Sequence, residues 1–220
     1  MNKKSIIKLL TVVIILNISF LFLSACIDTE ANLKEGIYAE YVVVDTDAEV
    51  DEIVKNLKDF LVSRGFKKFS VKRQDEFGIR IELPETDRAI DILDNICDAA
   101  WLSMRLDNGE VIITGDDIAG AYAGCSNNVW TVMLKLTEEG DVKFADATGR
   151  HMGETLNTYV IYGENYEMLV SAATINEAIT NGVCYISGYF DQQRAEDLAD
   201  MIMLGKIGAR LELQIMDKIV

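Results

Sequence analysis

A chain of 220 residues, half of them hydrophobic, can bury a core as one domain or two small ones. A single proline and a charged fraction of 26% argue against a long disordered region. The net charge is −15, and it falls to −18 if Lys3, Lys4 and Lys8 leave with the first 25 residues. Such a balance argues against nucleic acid, whose phosphates need a basic footprint, and against an anionic membrane surface.

The N-terminus reads as an export signal over residues 1–25. Lys3, Lys4 and Lys8 form a basic region, and Leu9 to Ala25 is an apolar run interrupted only by Thr11, Asn17, Ser19 and Ser24. An uncleaved anchor would need about 20 apolar residues, within a range of about 17–25, so length alone leaves that alternative open. The end of the run favours another outcome. Leu23-Ser24-Ala25-Cys26 resembles the bacterial lipobox, in which small residues precede a cysteine that is acylated on sulfur and becomes the new N-terminus. Cys26 is therefore the expected lipid-attachment residue, carrying palmitate-like chains at the extracytoplasmic face of the cell membrane. Two or three such chains, at about 0.8 kcal/mol per buried methylene, hold a protein there permanently. Residues 26–36, ending in Gly36, have no helical or strand period and read as the lipidated tether.

From Ile37 the pattern is periodic. "IYAEYVVVD" is a β-branched and aromatic strand. Thr46 and Glu49 have capping-box spacing, and Val50, Ile53, Val54, Leu57 and Leu61 recur at helical intervals until Gly65. Phe69 and Val71, then Ile79, Ile81 and Leu83, alternate with polar residues as two half-buried strands. A second amphipathic helix follows Pro84 with Ile90, Leu93 and Cys97 inward, and Leu102, Met104 and Leu106 mark a fourth strand. The order β-α-β-β-α-β predicts a ferredoxin-like base over 37–107, four strands backed by two helices, within an α+β chain.

The remainder, 108–220, reads as a smaller α+β unit. Glu110 to Thr114 is a strand, Asp116 and Asp117 are expected to cap a short helix through Ala123, and "VWTVMLKL" is another strand. Thr137 caps a helix carrying Val142, Ala145 and Thr148. "TLNTYVIY" and "EMLVS" form a hairpin around Gly163, and "VCYISGYF" is one more strand. After Asp191, Ala195, Leu198, Ala199 and Ile202 fall at helical spacing, and "ARLELQI" returns as a C-terminal strand.

The stretches "SRGF" and "VKRQDEFGIRIELPET" resemble the first extracytoplasmic domain of SecD, the accessory subunit of the bacterial protein translocase. "NGEVIITGDDIAGAYAG", "VMLKLTEEGDVKFADAT" and "ISGYFDQQRAEDLADMIMLG" are similar to the head subdomain of that region. The likeness runs from about Ala39 to Ile215 in the family's order. It implies a ferredoxin-like base with an inserted head, and contact with translocating polypeptide or Sec translocase components. Two places depart from the family: its proline near Ala173 is absent, and its Gly-Ala-Leu-Pro element stands here as Gly205-Lys206-Ile207-Gly208. Six transmembrane helices follow this domain in the family and none follows here, so the likeness implies the soluble domain without proton-driven work.

Chemistry-bearing patterns are sparse. His151 is the only histidine, set in a loop after a helix and expected to face solvent, since one histidine makes neither a metal set nor a nucleophile–base pair. HExxH, Walker, GxGxxG and GxSxG motifs are absent from the sequence. Asp116 and Asp117 read as a cap rather than as paired catalytic carboxylates, and "DNGE" at Asp107 to Glu110 as a turn rather than a calcium loop. Cys97, Cys125 (in a loop) and Cys184 (in a strand) have no CxxC spacing; one disulfide with one cysteine left over stays open beside simple burial. Trp101, Trp130 and the tyrosines fall mostly on strands, where packing competes with stacking on an unfolded segment. No catalytic residue, cofactor or metal is expected. The sequence predicts a lipid-anchored, extracytoplasmic, non-enzymatic protein that binds exported polypeptide or translocase components; the alternative is a repurposed domain acting as an envelope scaffold or small-ligand binder.

Overall fold

In the computed structural model, residues 33–45, 48–163 and 166–219 are described. The export signal, Cys26 and most of the predicted tether lie outside them, as does Thr46 of the predicted capping box.

Alternation in β1 (Gly36–Val43) sends Ile37, Ala39, Tyr41 and Val43 into one core. Helix α1 (Val50–Ser63) adds Val50, Ile53, Leu57, Phe60 and Leu61. Glu49 is its N-cap, one step ahead of the first turn rather than three residues inside it, so the capping-box reading is corrected. Its far end closes as the sequence suggests. Gly65 takes φ +83°, the Gly65 N–H donates to Val62 O and the Phe66 N–H to Leu61 O, a Schellman arrangement that a residue with Cβ would strain. Strands β2 (Ser70–Arg73) and β3 (Gly78–Leu83) pair through a turn in which Asp75 accepts from the N–H groups of Phe77 and Gly78. Helix α2 (Asp87–Asn95) starts at Thr86, whose side chain accepts from the Ala89 N–H. It buries Ala89, Ile92 and Leu93, and the Tyr41 hydroxyl donates to Leu93 O across the core at 2.6 Å. Cys97 lies past the helix end, in a 3-10 turn of residues Ile96–Asp98.

The fourth strand of this sheet is not the predicted one. Strand β4 (Trp101–Leu106) leaves the base and pairs with β5 (Val111–Thr114) and β8 (Thr155–Tyr162). The place beside β1 is taken by β11 (Leu211–Ile219), antiparallel along the whole strand from Gly36 opposite Ile219 to Val43 opposite Leu211. The sheet order is β11-β1-β3-β2. The apolar alternation of Leu102 and Met104 is satisfied in the other core, with Val160 and Ile113, and Leu106 is buried too.

That second core, the head, lies between two sheets and two helices. One sheet has the order β10-β7-β6, with β6 (Ile118–Ser126), β7 (Val129–Leu136) and β10 (Val183–Ser187); the other is β5-β4-β8-β9, with β9 (Tyr166–Thr174). The short helix expected through Ala123 is a 3-10 turn of Gly115–Asp117 that gives way to β6. β6 and β7 form a hairpin turned by Asn127 and Asn128, both at positive φ (50° and 63°), a turn that suits asparagine and matches strand twist. Helix α3 (Glu138–Arg150) is capped by Thr137, which accepts from the Gly140 N–H at 3.0 Å. Its buried face is Phe144, Ala147 and Thr148; Val142, expected inward, is exposed. Helix α4 (Gln192–Leu204) is capped by Asp191 and buries Ala195, Leu198, Ala199 and Ile202 as its spacing predicts.

Base and head meet on a buried ion cluster. Asp200, 2% exposed on α4, sits 2.5 Å from Arg64 Nε at the end of α1 and accepts from Arg88 of α2 at 2.6 Å. Arg64 also donates to Ala121 O (3.0 Å) and Ala199 O (2.8 Å). Burial pushes the Asp200 carboxyl above its ordinary range and the Arg64 guanidinium below its own, each opposed by the charge of its partner. At the crossing into β11, a Cβ on Gly205 would overlap the Ala100 carbonyl, so the two connecting segments touch backbone to backbone.

Candidate functional site

The head is open along one seam. β8 and β9 form a hairpin, and β9 is an edge strand of its sheet; β10 is an edge strand of the other. The two edges face each other without a backbone ladder. One side-chain bond spans them, from Ser171 Oγ to Ser187 O at 2.9 Å. Gly188 lies beside this bridge, where an added Cβ would come 3.4 Å from Val170 O.

Two apolar recesses flank the bridge. One, of about 240 Å³, is lined by Tyr162, Met168, Val170, Phe190, Leu198 and Met201, together with Tyr189, Arg194 and Asp197. The Tyr162 hydroxyl donates to Met201 Sδ at 3.4 Å, and its ring lies 5.7 Å from that of Tyr166. Burial, with Tyr166 adding to it, raises the Tyr162 hydroxyl above its ordinary pKa, so it remains a neutral donor. The other recess, of about 220 Å³, opens over Met104, Phe144, Leu156 and Cys184 and is edged by Glu177 and Tyr185. Around both, Tyr166, Met168, Leu169, Tyr185 and Tyr189 are exposed, Tyr189 completely. A cluster of exposed tyrosine, leucine and methionine over two clefts can hold apolar side chains by desolvation and stacking.

The residues singled out from sequence are scattered. Asp117 is buried, accepts from the Thr114 N–H at 3.0 Å and meets Lys143 Nζ at 2.8 Å. Burial opposes its ionisation, but Lys143 and Thr114 outweigh it and hold the carboxyl below its ordinary range. It fastens β5 to α3 and is a structural anion, not half of a carboxylate dyad. His151 ends α3 and is not free in solvent: its side chain is 17% exposed, with Nδ1 2.9 Å from Glu154 Oε1 and Nε2 turned toward Glu110 at 4.0 Å. Cys97, Cys125 and Cys184 are free thiols. Cys125 lies on β6, not in a loop, and is exposed. Burial pushes the Cys184 thiol up to about 12. Trp130 packs against the head core, while Trp101 is partly exposed at the start of β4. Among the described residues no group of three or more His, Cys, Asp or Glu could hold a metal, and no helix is long and apolar enough to cross a membrane. Tyr185 and Tyr189 belong to the tyrosines for which sequence reasoning weighed packing against stacking on an unfolded segment; Met168, Leu169 and Phe190 were not singled out. For Met168 and Leu169 the signal is "YEMLV", where apolar residues fall on both faces of a strand at a sheet edge.

Fold and site together define an α+β domain with two cores: a base sheet closed by β11 and a head with an open apolar seam. A sequence model described as SecDF, P1 head subdomain, matches residues 98–209, half of the chain, and the chain belongs to that family. It is 27% identical, over 97% of its length, to the protein translocase subunit SecD of Acidaminococcus fermentans, and 39% identical, over 50% of its length, to that of Streptomyces coelicolor. It spans about half of the first relative (52%) and 18% of the second. Among solved structures, the super-membrane-facing form of SecDF superposes with a TM-score of 0.66 at 19% identity, over 84% of this chain and 30% of that one. A structure described as a membrane component SecDF that enhances protein export superposes with a TM-score of 0.60 at 20% identity, over 81% of this chain and 98% of that one. These two likenesses concern the fold.

Proposed function

We propose that this chain is a non-enzymatic, lipid-anchored SecD-like protein of the extracytoplasmic membrane face. In this reading Cys26 carries the acyl chains after the 1–25 signal is removed, and the head binds exported polypeptide or Sec translocase components in protein transport. The observation that carries the binding role is the open seam, where apolar recesses and the exposed Tyr166, Met168, Leu169, Tyr185 and Tyr189 stand on a chain of net charge −15. Such a surface is costly to leave bare and suits an unfolded segment with apolar side chains. A small ligand is the poorer occupant, since each recess (about 240 and 220 Å³) is below the ~300–1,000 Å³ usual for such sites.

Photo-crosslinking from position 189 in living cells tests the role. Secretory precursors or translocase subunits are expected from that position and not from exposed Val142 on α3. Equal yields at both positions, or none at either, overturn it. Recovery of envelope proteins without precursors or translocase subunits assigns the chain to scaffolding instead. The anchor has a separate check: Cys26→Ser abolishes palmitate labelling and leaves the precursor unprocessed, and persistent labelling refutes the attachment site.

A further inference from the structure

We propose that the polypeptide bound by the head adds as a β-strand to the free edge of β9; this rests on the polypeptide-binding reading above and specifies how it is achieved. A bare strand edge offers a row of unpaired N–H and C=O groups, and folded proteins blunt such edges with short length, lysine, proline or a covering segment. Among the described residues the other sheet edges are short, charged or partly covered; β10, the facing edge, has only five residues. β2 has four residues and carries Lys72 and Arg73; β5 has four residues. Two carbonyls of β6 are capped from the base, Ala121 O by Arg64 and Ile118 O by Lys206. β11 carries Glu212, Asp217 and Lys218.

β9 is the exception. It is nine residues long, YEMLVSAAT, without lysine, arginine or proline, and its only charge is Glu167, already paired with Arg105 at 2.9 Å. A register shift opposite Thr158 and Tyr159 leaves two contiguous stretches, Tyr166–Leu169 and Ser171–Thr174. Among the described residues no backbone hydrogen bond joins it to β10. The Ser171 to Ser187 bond is the contact an incoming strand displaces. Strand addition takes affinity from the main chain, which any sequence supplies, and adds selectivity from pockets for alternate side chains. The recess at Tyr162, Met168, Phe190 and Met201 is such a pocket. Charge selects the occupant. A second copy of this chain brings another −15 to the edge and is repelled, whereas an apolar segment with basic residues is attracted.

The test uses the full-length chain and a nine-residue peptide alternating valine and serine between terminal lysines, measured by calorimetry. Two derivatives carry N-methyl groups on alternate amides, one derivative per register. In an antiparallel or parallel ladder only alternate N–H groups of the added strand point to its partner. One derivative is therefore expected to bind at least tenfold more weakly than the parent, and the other within about twofold of it. Equal affinities for the two derivatives overturn strand addition and leave the polypeptide reading standing. Failure of the parent peptide while the crosslinks from position 189 persist overturns strand addition alone; loss of both overturns the reading as well. Concentration-dependent dimers with β9 amides protected from exchange in the absence of peptide assign the edge to a second copy and overturn the proposal.

Discussion

Replacing Asp200 by alanine removes the carboxylate that pairs with both Arg64 and Arg88, and the structure sets the size of the effect. Breaking a buried ion pair by deleting one partner costs about 3–5 kcal/mol, because a charge is stranded away from water. Here the lower end applies. Arg64, 7% exposed, keeps its bonds to the Ala121 and Ala199 carbonyls, and Arg88, 34% exposed, can rehydrate. The expected loss is about 3 kcal/mol out of a total of about 5–15. For a protein of this size that lowers Tm by about 6–12 °C. Urea unfolding followed by circular dichroism measures it, and Arg64→Met with Asp200→Leu completes a double-mutant cycle whose coupling should fall within about 0.5–3 kcal/mol. Since the cluster joins α1 and α2 to α4, the loss should come with faster proteolysis at the base–head connections. An Asp200→Ala loss below about 1 kcal/mol, or a coupling near zero, would refute the view that this cluster fixes the head on the base.

Asp117 supplies a pH test. Its folded-state pKa is held below the unfolded value of about 3.9, so its contribution is present above that pH and is lost as pH falls through the lower folded value. Asp117→Asn should flatten this part of the stability–pH curve and cost about 1–3 kcal/mol at neutral pH; an unchanged acid limb in chemical denaturation refutes the assignment. Gly205→Ala forces a methyl against the Ala100 carbonyl and should destabilise by about 1–3 kcal/mol, whereas Gly124→Ala, which meets open space, serves as the thermal-melt control. Tyr189→Ser should leave stability within about 0.5 kcal/mol yet weaken binding of the valine–serine peptide about tenfold, both read on one preparation. In the Cys26→Ser chain a maleimide should label Cys125 first, Cys97 slowly and Cys184 only on unfolding, because burial holds the Cys184 thiol at about 12; rapid native labelling of Cys184, followed by mass spectrometry, contradicts the closed core.

Local physics was legible in the chain itself. Gly65, Thr137 and Asp191 mark helix ends because a left-handed glycine or an oxygen acceptor satisfies backbone groups a few residues away. The alternations of β1, β3 and β4 and the stripe of α4 name buried faces for the same reason, since side-chain direction follows from backbone geometry alone. Only the tertiary structure decided what those faces meet. A period of two says that Leu102, Met104 and Leu106 are covered, not which strand lies beside them, so the place next to β1 went to β11 from the far end of the chain. Asp200 reads as a polar residue on a helix until α1 and α2 bring two guanidiniums to it. The seam is of the same kind: Tyr166, Met168, Leu169 and Tyr189 look like ordinary strand and loop residues, and their exposure arises because two sheets approach edge to edge without pairing, a relation between distant segments that no local pattern encodes.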